Sequence, residues 1–135
     1  MKKLIIESTS NSPKVILDSV NNLFEISGES RPENVSKFYK PILEWLDKFG
    51  MKLSEQKNSN KKAPYEFNFN FEYFNSSSAK FILDFCKKLG KLRSEGNDIV
   101  VKWHYEEDDE DMLEVGKEMS RMVKFSFEYV EIEVE

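Results

Sequence analysis

At 135 residues, with 39 % hydrophobic and 13 % aromatic side chains, the chain is long enough for one domain with a real core, spanning 1–135, and too apolar for a disordered segment. Its net charge of −5 argues against a nucleic-acid partner held through phosphates, and its one cysteine, Cys86, excludes a disulfide framework. The opening MKKLII has too short an apolar run for a signal peptide and no stretch reaches the length of a membrane span, so a cytoplasmic protein with no membrane partner is expected.

Leu4 to Ile6 suits a short edge strand, and a polar connector follows to Pro13. Val15 to Leu17 and Leu23 to Ile26, parted by Asp18 to Asn22, read as an N-terminal β-hairpin whose second strand ends at Gly28. Ser30 and Glu33 have the spacing of a capping box, with Pro32 in the first helical turn. The helix they open carries Val35, Phe38, Tyr39, Ile42, Leu46 and Phe49; a kink is expected at Pro41 and a stop at Gly50. Gln56 to Pro64 is polar and basic, a solvated loop with Lys57, Lys61 and Lys62 as solubilising charges.

Tyr65, Phe67, Phe69, Phe71 and Tyr73 then alternate with Glu66, Asn68, Asn70 and Glu72, the period of a strand with one apolar face. After a polar turn, Asn75-Ser76-Ser77-Ser78, the residues Phe81, Ile82, Phe85, Leu89 and Leu92 fall on one helical stripe. Ile99, Val101, Trp103 and Tyr105 form the next strand, and the acidic run Glu106 to Asp111 leads to a helix over Met112 to Met122, weakened by Gly116. Phe125, Phe127 and Tyr129 alternate in a last strand, which the terminal EIEVE extends or leaves frayed.

Strands alternating with helices favour a largely parallel sheet with right-handed crossovers. The polar face of each late strand is unlike a strand covered on both sides. The expected fold is therefore a two-layer α/β domain: a mixed, mostly parallel sheet, helices packed on one face, and an N-terminal β-hairpin. In such a sheet the turns after the strands ending near Ile26, Phe74 and Tyr105 leave at one edge, which brings together Gly28 to Asn34, Asn75 to Ser78 and Glu106 to Asp111.

Serines at that edge could simply cap a helix, although three in a row exceed what one cap requires. A nucleophilic serine lacks its context: there is no G-x-S-x-G elbow, and the sole histidine, His104, falls on a strand's polar face as a solvated side chain. The run EEDDED could start a helix, bind a divalent metal, or dock a basic surface; it lacks the EF-hand pattern.

NSSSAK, with GESRPEN upstream, FYKPILEWL, and WHYEEDDEDMLEVG downstream, resembles the small bacterial regulatory phosphoproteins of the SiaC type, over roughly Pro13 to Val130. The resemblance implies a fold similar to the STAS-like anti-sigma-factor antagonists, no enzymatic activity, and neither cofactor nor metal. It implies a phosphoacceptor at the hydroxyl residue after the strand-end Asn, here Ser76, with Ser77 and Ser78 as rivals. It further implies a Ser/Thr protein kinase, a PP2C-type phosphatase, and a diguanylate cyclase bound and activated by the unmodified form, hence cyclic-di-GMP and biofilm signalling. Glu29, Ser30, Arg31, Pro32, Glu33, Asn34, Tyr73, Asn75, Asp108, Asp109, Glu110 and Asp111 are the residues expected at the kinase and partner interface.

A phosphate on Ser76 would add about −1.5 to −2 charges at a helix start, where backbone donors receive it. A partner on the same edge would meet a hydrated dianion beside Glu106 to Asp111, repelled by several kcal/mol or so. Arg31, reaching inward, would neutralise part of it. Two other functions stay open: a small metal-dependent enzyme using Glu106 to Asp111 and His104, and a constitutive interaction subunit using the sheet face around Asn68, Asn70 and His104.

Overall fold

The computed structural model describes residues 1–56 and 63–134. Its strands are β1 (Leu4–Ile6), β2 (Lys14–Asp18), β3 (Leu23–Ser30), β4 (Tyr65–Phe74), β5 (Ile99–Glu106) and β6 (Glu128–Ile132). Its helices are α1 (Val35–Glu55), α2 (Ser76–Ser94) and α3 (Glu110–Val123). The six strands form one sheet in sequence order; β1, β2 and β3 pair antiparallel, and β3 to β6 pair parallel. Helices follow β3, β4 and β5 and cover one face, which is the expected two-layer α/β arrangement. The basic stretch expected to form a loop lies largely outside the described residues.

The core lies between that face and the helices. Along each strand every second side chain is buried: Val15 and Leu17, Phe24 and Ile26, Phe67 to Phe71, Ile99 to Trp103. Phe24 stacks on Phe67 at 4.3 Å between centroids, and Phe49 and Phe85 pack over them from α1 and α2. Each large side chain so buried contributes about 1.5–3 kcal/mol. The opposite face, with Glu25, Asn68, Asn70, Lys102 and His104, has no helix over it among the described residues.

Several local expectations are corrected. Gly28 does not end the second strand: β3 runs on to Ser30, and Gly28, at φ +105°, sits at a register shift where β4 has one extra residue. That bulge reverses the alternation of β4. Phe74 turns inward against Phe71 and Trp103, whereas Tyr73, expected on the apolar face, stands 49 % exposed beside Glu29. Ser30 is paired into the sheet, so it does not cap α1; Asn34 does, its side chain accepting the Lys37 N–H at 3.1 Å. α1 passes through Pro41 and Gly50 and ends only at Gln56, because its apolar face continues to Leu53. A Cβ on Gly50 would stand 3.0 Å from Leu92, so this glycine serves the close approach of α1 to α2 instead of a stop.

Gly116 likewise is no mere weakness in α3. The indole of Trp103 packs against it, and a Cβ there would come within 2.5 Å of the ring. The indole N–H donates to the Met112 carbonyl at 3.0 Å, tying β5 to α3. The last strand begins at Glu128, not Phe125. Phe125 and Phe127 belong to the preceding connection, held by Ser120, whose hydroxyl donates to the Phe125 carbonyl and accepts the Phe127 N–H.

Candidate functional site

Parallel pairing of β3, β4 and β5 sends their carboxyl ends to one edge, so the three nominated bends do gather there. The closest join is between the first two: the Asn75 N–H donates to the Ser30 carbonyl at 3.1 Å. A fourth segment shares the edge. Because β2 is antiparallel to β3, the β1–β2 connector returns beside the end of β3, and the Arg31 N–H donates to the Asn11 carbonyl at 2.9 Å. The connector is braced by the Thr9 hydroxyl, bonded to Asn11 and Ser12. Its polar STSN composition looked like plain linker in the sequence.

The serines are not a turn between strand and helix but the first turn of α2. Asn75 is the N-cap, its Oδ1 accepting the Ser78 N–H at 2.8 Å. The three hydroxyls then diverge, because successive helical residues point about 100° apart. Ser76 and Ser77 are exposed; Ser78 is fully buried.

Beneath the exposed pair runs a chain of buried hydroxyls. Ser78 Oγ donates to the Ser30 carbonyl at 3.0 Å, Ser30 Oγ donates to Ser78 Oγ at 2.9 Å, and Ser30 Oγ lies 2.6 Å from the Tyr39 hydroxyl. Since the Ser30 proton is already committed to Ser78, Tyr39 must be the donor to Ser30, and every proton of the chain is used. Burial pushes the Tyr39 hydroxyl up to about 12, against the opposing pull of its bonds to Ser30 and Ser78. Ser30 and Ser78 are thus supports of the edge, not part of its surface: no protein can touch Ser30, and no kinase can reach Ser78, without opening this junction. Sequence patterning offered no sign of the chain, since its three members are 9 and 48 residues apart.

Of the other nominated residues, Arg31 does not reach toward the serines. Its Nε pairs with Glu29 at 3.0 Å and an Nη contacts the Ser10 carbonyl at 3.4 Å, both on the side of the connector. Pro32 is half-buried, while Glu33 and Asn34 are exposed. In the acidic bend Glu106 closes β5, Asp109 caps α3 by accepting the Met112 N–H at 3.0 Å, and Asp108, Glu110 and Asp111 face solvent. Among the described residues no three His, Cys, Asp or Glu side chains stand close enough to hold a metal ion.

His104 is not a freely solvated side chain. It is half-buried on the open sheet face, and its Nε2 donates to Asn68 Oδ1 at 3.0 Å, the amide oriented by its own donation to the Phe24 carbonyl. Desolvation lowers its pKa, and the nearby Glu25 charge offsets part of that. Cys86 is buried without a partner, and burial pushes its thiol far up, so it is inert at neutral pH. No helix among the described residues is long and apolar enough to cross a membrane.

Comparison with known proteins places this geometry in a context. Residues 6–132 match the SiaC family of regulatory phosphoproteins. An uncharacterized protein of Pseudomonas aeruginosa (strain UCBPP-PA14) is 25 % identical over 127 residues, 94 % of each chain. The structure of SiaC from Pseudomonas aeruginosa superposes with a TM-score of 0.78 at 22 % identity, covering 99 % of this chain and 100 % of that one. SiaC of the same organism in complex with the diguanylate cyclase SiaD, whose activator it is, gives 0.79 at 23 % identity over 97 % and 99 % of the two chains. At such identities the structures establish a shared fold.

Proposed function

This chain belongs to the SiaC family of regulatory phosphoproteins, and from that premise we propose that it is a non-enzymatic, cytoplasmic switch whose output is set by phosphate on Ser76. In its unmodified form it binds and activates a diguanylate cyclase, as SiaC does SiaD in Pseudomonas aeruginosa. A Ser/Thr kinase adds the phosphate and a PP2C-type phosphatase removes it.

The observation that carries this proposal is the divergence of the serines. An exposed hydroxyl stands at the first position of α2, directly above a junction locked by Ser30, Tyr39 and Ser78. A kinase can reach Ser76 without disturbing the core, and the core cannot relax to hide the product. Asn75 occupies the Ser78 N–H, so the amides of Ser76 and Ser77 are left for a phosphate oxygen, and the helix dipole favours the negative charge. The modification is therefore tolerated within the chain and felt outside it. Ser77 is equally exposed, but Ser76 directly follows the capping Asn, the position that carries the modification in the family pattern.

The test has two parts. Intact mass and phosphosite mapping of protein from its native host should show one phosphate, on Ser76, removed by phosphatase. Binding of the host's diguanylate cyclase should survive Ser76→Ala and weaken at least tenfold in Ser76→Asp. Absence of phosphate under every growth condition, or equal binding by wild type and both variants, would reject the switch.

A further inference from the structure

The first turn of α2 sends its two exposed serines to different stripes of the helix. Residues four and eleven positions on fall nearly in line with each of them, as the helical repeat requires. Under Ser77 that line holds Phe81, stacked on Tyr39 at 5.6 Å between centroids, and Lys88, whose Nζ is taken by Asp47 at 2.7 Å. Under Ser76 it holds Lys80 and Lys87, both exposed, and neither enters an ion pair among the described residues. Asp84, one turn beyond Lys80, is not paired with either of them.

The charges around the carboxyl edge give that free lysine its importance. The acidic bend from Glu106 to Asp111 shares the edge and opposes a second full negative charge there. Arg31 is engaged by Glu29 at 3.0 Å and turned to the Ser10 carbonyl of the connector. Lys37 stands on α1 and lines a cavity with Phe81, about 140° around α2 from Ser76. Lys80 is placed differently. It lies four residues on from Ser76, the separation at which side chains of a helix meet, about 5–6 Å between Cβ atoms. The anion precedes the cation, which is the more favourable order, and a long side chain leans back toward the helix N-terminus.

We propose that Lys80 is the positioning residue for the phosphate on Ser76: its ammonium group pairs with the dianion and lays it back along the outer face of α2. The proposal deepens the switch function above and rests on it for the presence of the phosphate. A phosphate has three terminal oxygens, so contact with Lys80 does not compete with its contact to the backbone amides at the start of the helix. On modification, the outer face of α2 loses its nearest free cation in the same step that gives it a new anion. A phosphate on Ser77 would instead have Phe81 one turn on and, beyond it, a lysine already engaged by Asp47.

The test uses the full chain with phosphoserine installed at position 76 during translation, followed by phosphorus NMR as pH is raised through the second phosphate ionisation near about 6. A neighbouring cation favours the dianion, so that ionisation should fall about 0.5 pH unit lower in the Lys80 protein than in Lys80→Gln. Lys80→Arg should restore the low value. Lys87→Gln, roughly 16 Å along the helix from Ser76, should leave it almost unmoved. The difference should close in molar salt. Equal ionisation with and without Lys80 would overturn the proposal, and so would a Lys87→Gln shift as large as that of Lys80→Gln, which would show a diffuse field in place of a pair. In the unmodified protein Lys80→Gln should leave the urea midpoint unchanged; a lowered midpoint would assign Lys80 to the fold and overturn the role as well. Because the phosphate is placed by translation, the pair is tested whether or not a kinase acts. A phosphoprotein that shows the lowered ionisation and still binds the diguanylate cyclase as tightly as the unmodified chain would uphold the pair and reject the switch.

Discussion

Two strand-to-helix junctions stand on the carboxyl edge, built to one plan and charged differently. β4 passes to α2 through Asn75, and β5 passes to α3 through Asp109; each cap accepts the N–H three residues on, at 2.8 and 3.0 Å. The first turn of α3 holds Glu110 and Asp111, whereas that of α2 holds no acidic residue. Under α3 the support is a packed indole against Gly116; under α2 it is a chain of neutral hydroxyls. The β5–α3 junction thus has its negative charge permanently, where the positive end of the helix dipole favours it. The β4–α2 junction has a vacancy of the same kind and an exposed hydroxyl beside it. The contrast is of one local design with its negative charge built in at one junction and an exposed hydroxyl in that place at the other.

The largest effect that would break this comparison falls on the permanent junction. Gly116→Ala drives a methyl into the Trp103 ring at 2.5 Å, against a side chain whose N–H is already committed to Met112. Urea denaturation should show a loss of about 3 kcal/mol, and near-ultraviolet circular dichroism should report the displaced indole. Next comes the support of the β4–α2 junction. Ser78→Ala removes the donor to the Ser30 carbonyl and the acceptor of the Ser30 hydroxyl, and should lower stability by about 1–2 kcal/mol. Tyr39→Phe removes a single donor and should stay near the lower end of that range. If both left the urea midpoint unmoved, the hydroxyl chain would not be holding the edge.

How much of these junctions was readable in the sequence depended on the range of the forces involved. The period-two run from Tyr65 to Phe71 and the stripe from Phe81 to Leu92 announced β4 and α2, because alternation and helical spacing are local and each has a face to bury. The mixed, mostly parallel sheet with helices on one face followed from their order, and with it the gathering of the three bends. Tyr73 and Phe74 exchange places only because the register slips against Gly28, a residue on a different strand. Ser30 has the correct spacing to Glu33 for a cap, but pairing with β4 claims it first and leaves the cap to Asn34. Gly116 carried the cost of a glycine in a helix, and its reason lies on β5. What escaped the sequence was set by contacts between elements, and the supports of the candidate site are all of that kind.

Smaller effects sharpen the comparison. Asn75→Ala and Asp109→Ala each remove one side-chain acceptor from a helix start and should cost about 1 kcal/mol apiece. Similar losses at the two caps would confirm that the junctions share a plan and that their difference is confined to charge.

The smallest expected effect is the most telling. Ser76→Asp supplies α2 with a carboxylate of the kind Asp111 already supplies to α3, so it should raise stability by about 0.5 kcal/mol, while Asp111→Ser should lower it by a similar amount. Both changes should fade in molar salt, where the Debye length falls to about 3 Å. The same Ser76→Asp protein should bind its target at least tenfold more weakly. A switch that worked by loosening the fold would lose stability and binding together; on the function proposed above the two should move in opposite directions, because the charge that completes the helix start is one that a partner docked on that edge would have to desolvate. A Ser76→Asp protein that was less stable than wild type and also failed to bind would place the switch in the fold itself, and the equivalence of the two junctions would be lost.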